Sequence, residues 1–402
     1  MIVVRCLCRS ALLCLALAVI GPLSPAFAER SFFVVPAFST SKNDGQDIGL
    51  IVPVLQSDDE GNLQSLFAPM VIHNSFLGVR GTVNYYRYWS GGRRLETVAS
   101  ITEEIERKLK FRYQNPGFIE GLFFIDLGTQ FFKNATKRFF GIGQTSSEDD
   151  ESNYTGREYQ IDWKFGIHLN DVTRLAVQQR FRDVDIQEGG VDDEPYTKDE
   201  FGGVPGIDGA TILAHQLVFQ YDSRDSLVAP TVGTYLEIFG ELAQNFDRDD
   251  FQDEFYVRTG FDIRRLIPSS SKRFIFVARA MLRLSFGDGI PFYEQSSLGG
   301  EENLRGYGRD RFIDKHMIAL NAEERIHVFG FKMFNVKIEM EVAPFVDMGR
   351  TYRNFEYRQF DDWEITPGIG FRGIVRPNLV SRVDWGYSKE GGAVFAGLQY
   401  PF

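Results

Sequence analysis

Along much of the chain, apolar and polar residues alternate one by one. From Asn335 to Asp347, Val336, Ile338, Met340, Val342 and Val346 share one face, while Asn335, Lys337, Glu339, Glu341 and Asp347 share the other. Tyr159–Ile167 sets Tyr159, Ile161, Trp163, Phe165 and Ile167 against Gln160, Asp162 and Lys164, and Leu379–Tyr387 sets Leu379, Val383, Trp385 and Tyr387 against Asn378, Arg382 and Asp384. A period of two is the mark of a strand. Burying the charged face inside a soluble sandwich would be costly. A wall with lipid outside and a polar lumen inside accommodates both faces. Sixteen such segments are predicted, from Gln46–Gln56 to Ala393–Phe402, among them Phe76–Trp89, Glu96–Tyr113, Phe118–Phe132 and Glu158–His168. The fold expected is all-β, a 16-stranded antiparallel transmembrane β-barrel. One set of connections is mostly tight, including His73–Ser75, Asn115–Gly117 and Leu169–Val172, and is expected in the periplasm. The other holds the long ones, Lys133–Arg157, Asp185–Gly209 and Gly287–Ile313, and is expected at the cell surface.

The first residues read as a processing segment. Arg5 and Arg9 precede the apolar run Ala11–Ile20, and Ala26-Phe27-Ala28 is a small-x-small cleavage site. The organisation expected is a removed signal peptide (1–28), a short periplasmic segment (29–45), in which the extended stretch Ser31–Phe38 is either a tail or part of the first strand, and the barrel (46–402). Cys6, Cys8 and Cys14 all lie in the signal, which leaves the exported part without disulfide or thiol chemistry. Removing Arg5 and Arg9 leaves 42 basic against 55 acidic residues, a net charge of −13. That balance excludes a general nucleic-acid binder, which needs Lys and Arg for phosphate. No later apolar run is long enough for a membrane helix, yet 14% of residues are aromatic, 37 of them Phe. Aromatic-rich but free of long apolar runs is what a lipid face formed by every second residue requires. The acidic runs Glu148–Glu151, Asp192–Glu194 and Asp247–Asp250 fall in loops. They read as solvated loop charge; bridging through divalent cations to lipopolysaccharide phosphates is the alternative.

Three short motifs occur in order on these elements. Tyr221-Asp222-Ser223-Arg224-Asp225 is followed by Pro230-Thr231 and Gly233; Leu304-Arg305-Gly306-Tyr307 lies in the longest loop; Phe345-Val346-Asp347-Met348-Gly349 lies on a strand. Together they resemble the BamA/TamA-type outer-membrane assembly factors, or bacterial surface antigens, over essentially the whole barrel. Leu304 and Tyr307 depart from the family's usual Val or Ile and Phe. The resemblance implies that the sixth surface loop folds into the lumen, where Arg305, with Gly306 and Tyr307, is locked to acids of the inner wall. The alternation places Glu323 and Asp347 on that wall, and carboxylates on both sides of a guanidinium give bidentate, charge-assisted bonds. Asp347 pairing instead with a basic residue of a neighbouring strand is the plain alternative. Asp222, Arg224, Asp225 and Gly233 would form the family's periplasmic turn. Val394, Ala396, Leu398, Tyr400 and Phe402, with Gly397 opposite, resemble the terminal-strand signal for insertion, with Phe395 standing where a polar residue is usual.

Family members that insert or secrete proteins carry periplasmic docking domains. Glu29–Gly45 is too short for one, so a separate periplasmic partner is expected. The five histidines are scattered without metal-ligand spacing, and no Gly-x-Ser-x-Gly elbow occurs. No enzyme activity, cofactor or metal is expected. The expected function is insertion or translocation of a substrate, such as an unfolded outer-membrane protein, with lipid and lipopolysaccharide as surroundings. The alternative is a passive pore or structural barrel.

Overall fold

The computed structural model describes residues 30–402 except 33, 42, 44, 59–62, 192, 248–253, 334–335, 355–361 and 377–378. The processing segment lies outside the described residues, as does most of Asp247–Asp250. The architecture is all-β. Among the described residues the main antiparallel sheet has 20 strands, and a small second sheet pairs Ser296–Leu298 with Phe312–Asp314. The main sheet is a meander in which neighbours in sequence are neighbours in space, so local turns set the register.

Its two faces are inverted relative to a water-soluble protein. On one face Ile161 is 50% exposed, Trp385 46% and Val383 45%. On the other, Asp347, Arg372 and Asp384 are fully buried. In water, apolar burial drives folding. A sheet that exposes its aromatics and shelters its charges suits a solvent of hydrocarbon, in which every backbone group is satisfied by the ladder.

The strand count differs from the expected sixteen at places with local causes. The stretch assigned to the periplasm joins the sheet: Val35–Ser41 pairs with Gly45–Ile51, and Arg30–Phe32 with Val54–Ser57. Gln46–Gln56 divides at Val52-Pro53, where proline has no N–H to give the ladder. Glu96–Tyr113 is two strands, Arg94–Thr102 and Arg107–Phe118. The turn between them contains no glycine or proline. Thr102 Oγ1 accepts from the Glu106 N–H at 3.0 Å, and Arg107 Nη1 donates to the carbonyls of Thr102, Glu104 and Glu106 at 2.9, 2.9 and 2.7 Å. Side chains close the turn. One missed turn reverses every strand before it. The connection between Leu63–Asn74 and Gly78–Tyr88 therefore sits at the long-loop end, not with the short turns as expected.

Two further strands run beyond the expected limits, to Phe139 and from Ser152. There Phe139, Tyr154, Val184, Ile186, Ile207, Phe292 and Ile313 form a hydrophobic core among the long loops. Strand Gly391–Leu398 returns beside Val35–Ser41, but among the described residues no ladder joins them. The polarity of the faces fixes an expected outcome. Ile161→Lys costs about 2–4 kcal/mol near the bilayer midplane, whereas Gln160→Lys on the inner face costs far less, as read by urea unfolding in lipid vesicles.

Candidate functional site

The loop between strands Phe274–Phe286 and His316–Met333 carries its tip on a stalk formed by the two-stranded sheet, against the polar face of the main sheet. At the stalk's end Gly299 and Gly300 take φ of 119° and 88°, a region that costs other residues a steric penalty. Gly306 has φ 149°, and a Cβ there would meet Thr366 at 2.8 Å. Gly386 lets the loop backbone approach: a Cβ would lie 1.9 Å from the Arg305 carbonyl oxygen.

Arg305 is 1% exposed. Its Nε and Nη2 donate to Asp347 Oδ2 and Oδ1 at 2.8 and 2.9 Å, and its backbone N–H donates to Oδ2 at 3.0 Å. Nη1 donates to Glu323 at 2.8 Å and to Asp384 at 3.3 Å. The guanidinium lies over Phe345 with Cζ 3.5 Å from the ring centre. Burial pushes the Arg305 pKa down, but Asp347, Glu323 and Asp384 outweigh it and hold the group charged. Tyr307 donates to Glu364. The structure thus brings together Arg305, Gly306, Tyr307, Asp347 and Glu323. It adds Asp384, on the same polar face as Arg382, and ties the wall together through Arg372, which reaches Glu323 at 3.1 Å and Asp384 at 2.8 Å.

A second anchor, of opposite sign, was not foreseen. Glu294 at the root of the loop is 1% exposed. Arg180 donates to both its oxygens at 2.8 and 2.7 Å, Arg182 at 2.6 Å and Tyr256 at 3.1 Å, while Arg258 lies 3.1 Å away. Burial raises the carboxyl pKa, but the arginines outweigh that and hold it well below the usual range. Nothing in Pro291-Phe292-Tyr293-Glu294 marks this carboxylate; the only signal is the inward run Arg180 and Arg182.

The residues expected to form the periplasmic turn also meet. Arg224 pairs with Asp222 at 2.8 Å. Asp225 accepts from Thr231 N and Oγ1 at 2.8 and 2.6 Å and from Val232 N at 3.2 Å, and Gly233 has φ 124°. Burial raises the Asp225 pKa, but these donors hold it below its ordinary value. The turn packs inward, with Ala229 against Ile374 and Val380 and its carbonyl accepting from Arg376 at 3.0 Å.

The last strand ends sooner than expected. The last strand ends at Leu398, Gln399 turns the chain with φ 69°, and Tyr400 and Phe402 leave the alternation for the interior. Tyr400 donates to Glu341 at 2.8 Å and lies under Arg325, whose Cζ is 3.5 Å from the ring centre. Phe402 packs on Leu266, Ile275 and Val277, 5.4 Å from the Arg305 guanidinium. Arg325 at Tyr400, and Arg305 and Arg279 at Phe402, attract these rings, and strand periodicity does not report such attraction. Gly397 stays in the strand, where a Cβ would stand 3.5 Å from Arg382.

A family profile described as the Omp85 superfamily domain matches residues 75–373. Among solved structures, the chain is similar to BamA from Haemophilus ducreyi lacking POTRA domains 1-3, at 14% identity and a TM-score of 0.55, covering 91% of this chain and 75% of that one. CdiB from Acinetobacter baumannii aligns at 10% identity and a TM-score of 0.48, covering 93% of this chain and 65% of that one. No match is found among curated proteins.

Arg305→Ala and Asp347→Ala are expected to share one defect. In a double-mutant cycle the pair departs from additivity by roughly 0.5–3 kcal/mol, read as urea stability in vesicles. Glu294→Gln leaves three arginines short of a buried partner and costs roughly 3–5 kcal/mol. Because the Glu294 pKa is depressed on folding, its contribution is full at neutral pH and is lost progressively as pH falls from the ordinary carboxylate value toward the depressed one. Acid unfolding of the Gln variant is correspondingly flatter.

Proposed function

The chain belongs to the Omp85 superfamily, and from that premise we propose that it is a barrel of the bacterial outer membrane that aids insertion or translocation of a substrate. In this reading the sheet closes in the membrane as a barrel, with the Gly299–Tyr307 tip in its lumen. The weak line lies between the first and last strands. The observation that carries the reading is that side-by-side pair, which no ladder joins among the described residues, next to a loop held by buried charges. Unpaired strand edges are templates for another strand. Gly391, Gly392 and Gly397 weaken the last strand further. The proposed substrate is an unfolded outer-membrane or secreted protein, delivered by a separate periplasmic partner. Lipid and lipopolysaccharide surround the barrel, and no chemistry is performed.

A passive pore is the second reading. Cavities of about 250 and 440 Å³ lie on either side of Glu301, beside the loop tip. The two readings separate in a deletion strain carrying wild type or Arg305→Ala. Loss of a defined set of outer-membrane or secreted proteins, not restored by Arg305→Ala, supports assembly and names the substrates. An unchanged membrane overturns it and leaves conductance to be measured. A disulfide locking the first strand to the last stops an assembly factor but leaves a pore conducting.

A further inference from the structure

On the outward face, one row of side chains breaks the apolar pattern. Trp163, Gln179 and His215 stand opposite one another on the neighbouring strands Ser152–His168, Thr173–Glu188 and Ala210–Asp222. The residues above and below them on that face are apolar: Ile161 and Phe165, Val177 and Phe181, Leu213 and Leu217. Asp183 is the first charge that Gln179 meets along its strand toward the long loops. At about 3.4 Å per residue and a tilt of about 40°, the row lies roughly 10 Å below that charged rim. Hydrocarbon at such a depth accepts no hydrogen bond. A histidine there is costly unless it has a partner.

The row is directional. An indole N–H can only donate, so Trp163 Nε1 at 3.0 Å fixes Gln179 Oε1 as its acceptor. Gln179 Nε2 is thereby turned to His215 Nδ1 at 3.2 Å, and an amide nitrogen also only donates. His215 Nδ1 therefore accepts, which places the imidazole proton on Nε2. Among the described residues no group accepts that N–H, while Gln179 Oε1 keeps a second lone pair free.

Beside the row the wall is hollow. Gly240 stands opposite Leu217; its φ is not positive, and a Cβ there would meet nothing within 4 Å. Neither conformation nor packing within the chain demands glycine. With Leu217, Leu242 and Val257 it lines an open groove of about 520 Å³ that reaches His215. Glycine inside a strand often marks the close approach of another molecule.

We infer that this face joins two copies of the chain in the membrane, about a two-fold axis along the membrane normal. Such an axis keeps both copies at one depth and sets like surfaces against each other. Each row offers one free donor and one free acceptor. The His215 Nε2–H of each copy donates to Gln179 Oε1 of the other, and the groove at Gly240 receives an apolar side chain. Lipid at this depth supplies no acceptor, and the row is complementary to itself. The inference goes beyond the assembly reading and rests only on its placement of this face in the membrane.

The test uses the chain from Glu29 onward, which holds no cysteine, in phospholipid vesicles. Energy transfer between copies labelled at Ser270→Cys, in an exposed turn, is followed as lipid is added. Wild-type copies are expected to associate. Leu217→Cys, 54% exposed beside the row, forms a disulfide between copies on oxidation, whereas Phe371→Cys, 49% exposed on a distant strand, does not. His215→Leu removes both bonds between copies. At about three-fold per hydrogen bond between membrane segments, it weakens association roughly eight-fold. Gln179→Leu weakens it as much, and the two together no further. Gly240→Leu weakens it with the row intact. All three variants place apolar groups toward lipid, so the temperature at which the folded gel band is lost holds or rises. A lower temperature with unchanged energy transfer in His215→Leu assigns the row to holding the strands and overturns the inference. Equal cross-linking of Leu217→Cys and Phe371→Cys overturns it too, as do wild-type copies that part on dilution as freely as His215→Leu. Chains that fail to float with the vesicles overturn the membrane placement as well.

Discussion

A guanidinium that water does not reach must be given carboxylates, and Arg305 takes them from three separate strands. Asp347 supplies a two-pronged bond and also accepts the Arg305 backbone N–H, so one side chain fixes both the head and the main chain of the loop. Glu323 and Asp384 hold the remaining edge. Buried ion pairs of this kind are weak evidence of stability, because desolvation offsets most of the Coulomb gain. Their effect is specificity. Only one placement of the loop satisfies every group, and a shift of one residue leaves a charge without a partner.

That placement depends on a sheet built the other way round from a soluble domain. Strand alternation gives the inner face its charges at every second residue, and these meet across neighbouring strands as arginines and acids. The loop then joins the network as one more participant, contributing a cation at its tip and an anion at its root. Polar wall and inward loop are two halves of one electrostatic arrangement, and the apolar outer face lets that arrangement exist without facing water.

Much of this was legible in the chain. Period-two patterning identified the strands wherever the two faces of the sheet meet opposite surroundings, and it placed Glu323, Asp347 and Asp384 on one face. Motif order pointed to Arg305. What patterning missed was closed by side chains. The Glu103–Glu106 turn is made by the Thr102 hydroxyl and the Arg107 guanidinium, not by glycine or proline, so the strand seemed to continue and everything before it was assigned the wrong direction. Glu294 was invisible because its partners lie more than thirty residues away in sequence, on strands whose own alternation gives no reason to single it out. Tyr400 and Phe402 keep the spacing of a strand, yet three arginines pull them off it.

Gly386 separates shape from charge. The loop backbone passes so close to this strand that even a methyl group on residue 386 would occupy the space of the Arg305 carbonyl. Every carboxylate of the wall would remain in place and every arginine would keep its charge, yet the loop would have nowhere to sit. A single hydrogen atom in place of a side chain thus acts as the keyhole of the loop's seat, and the attraction of opposite charges can act only on what that opening admits.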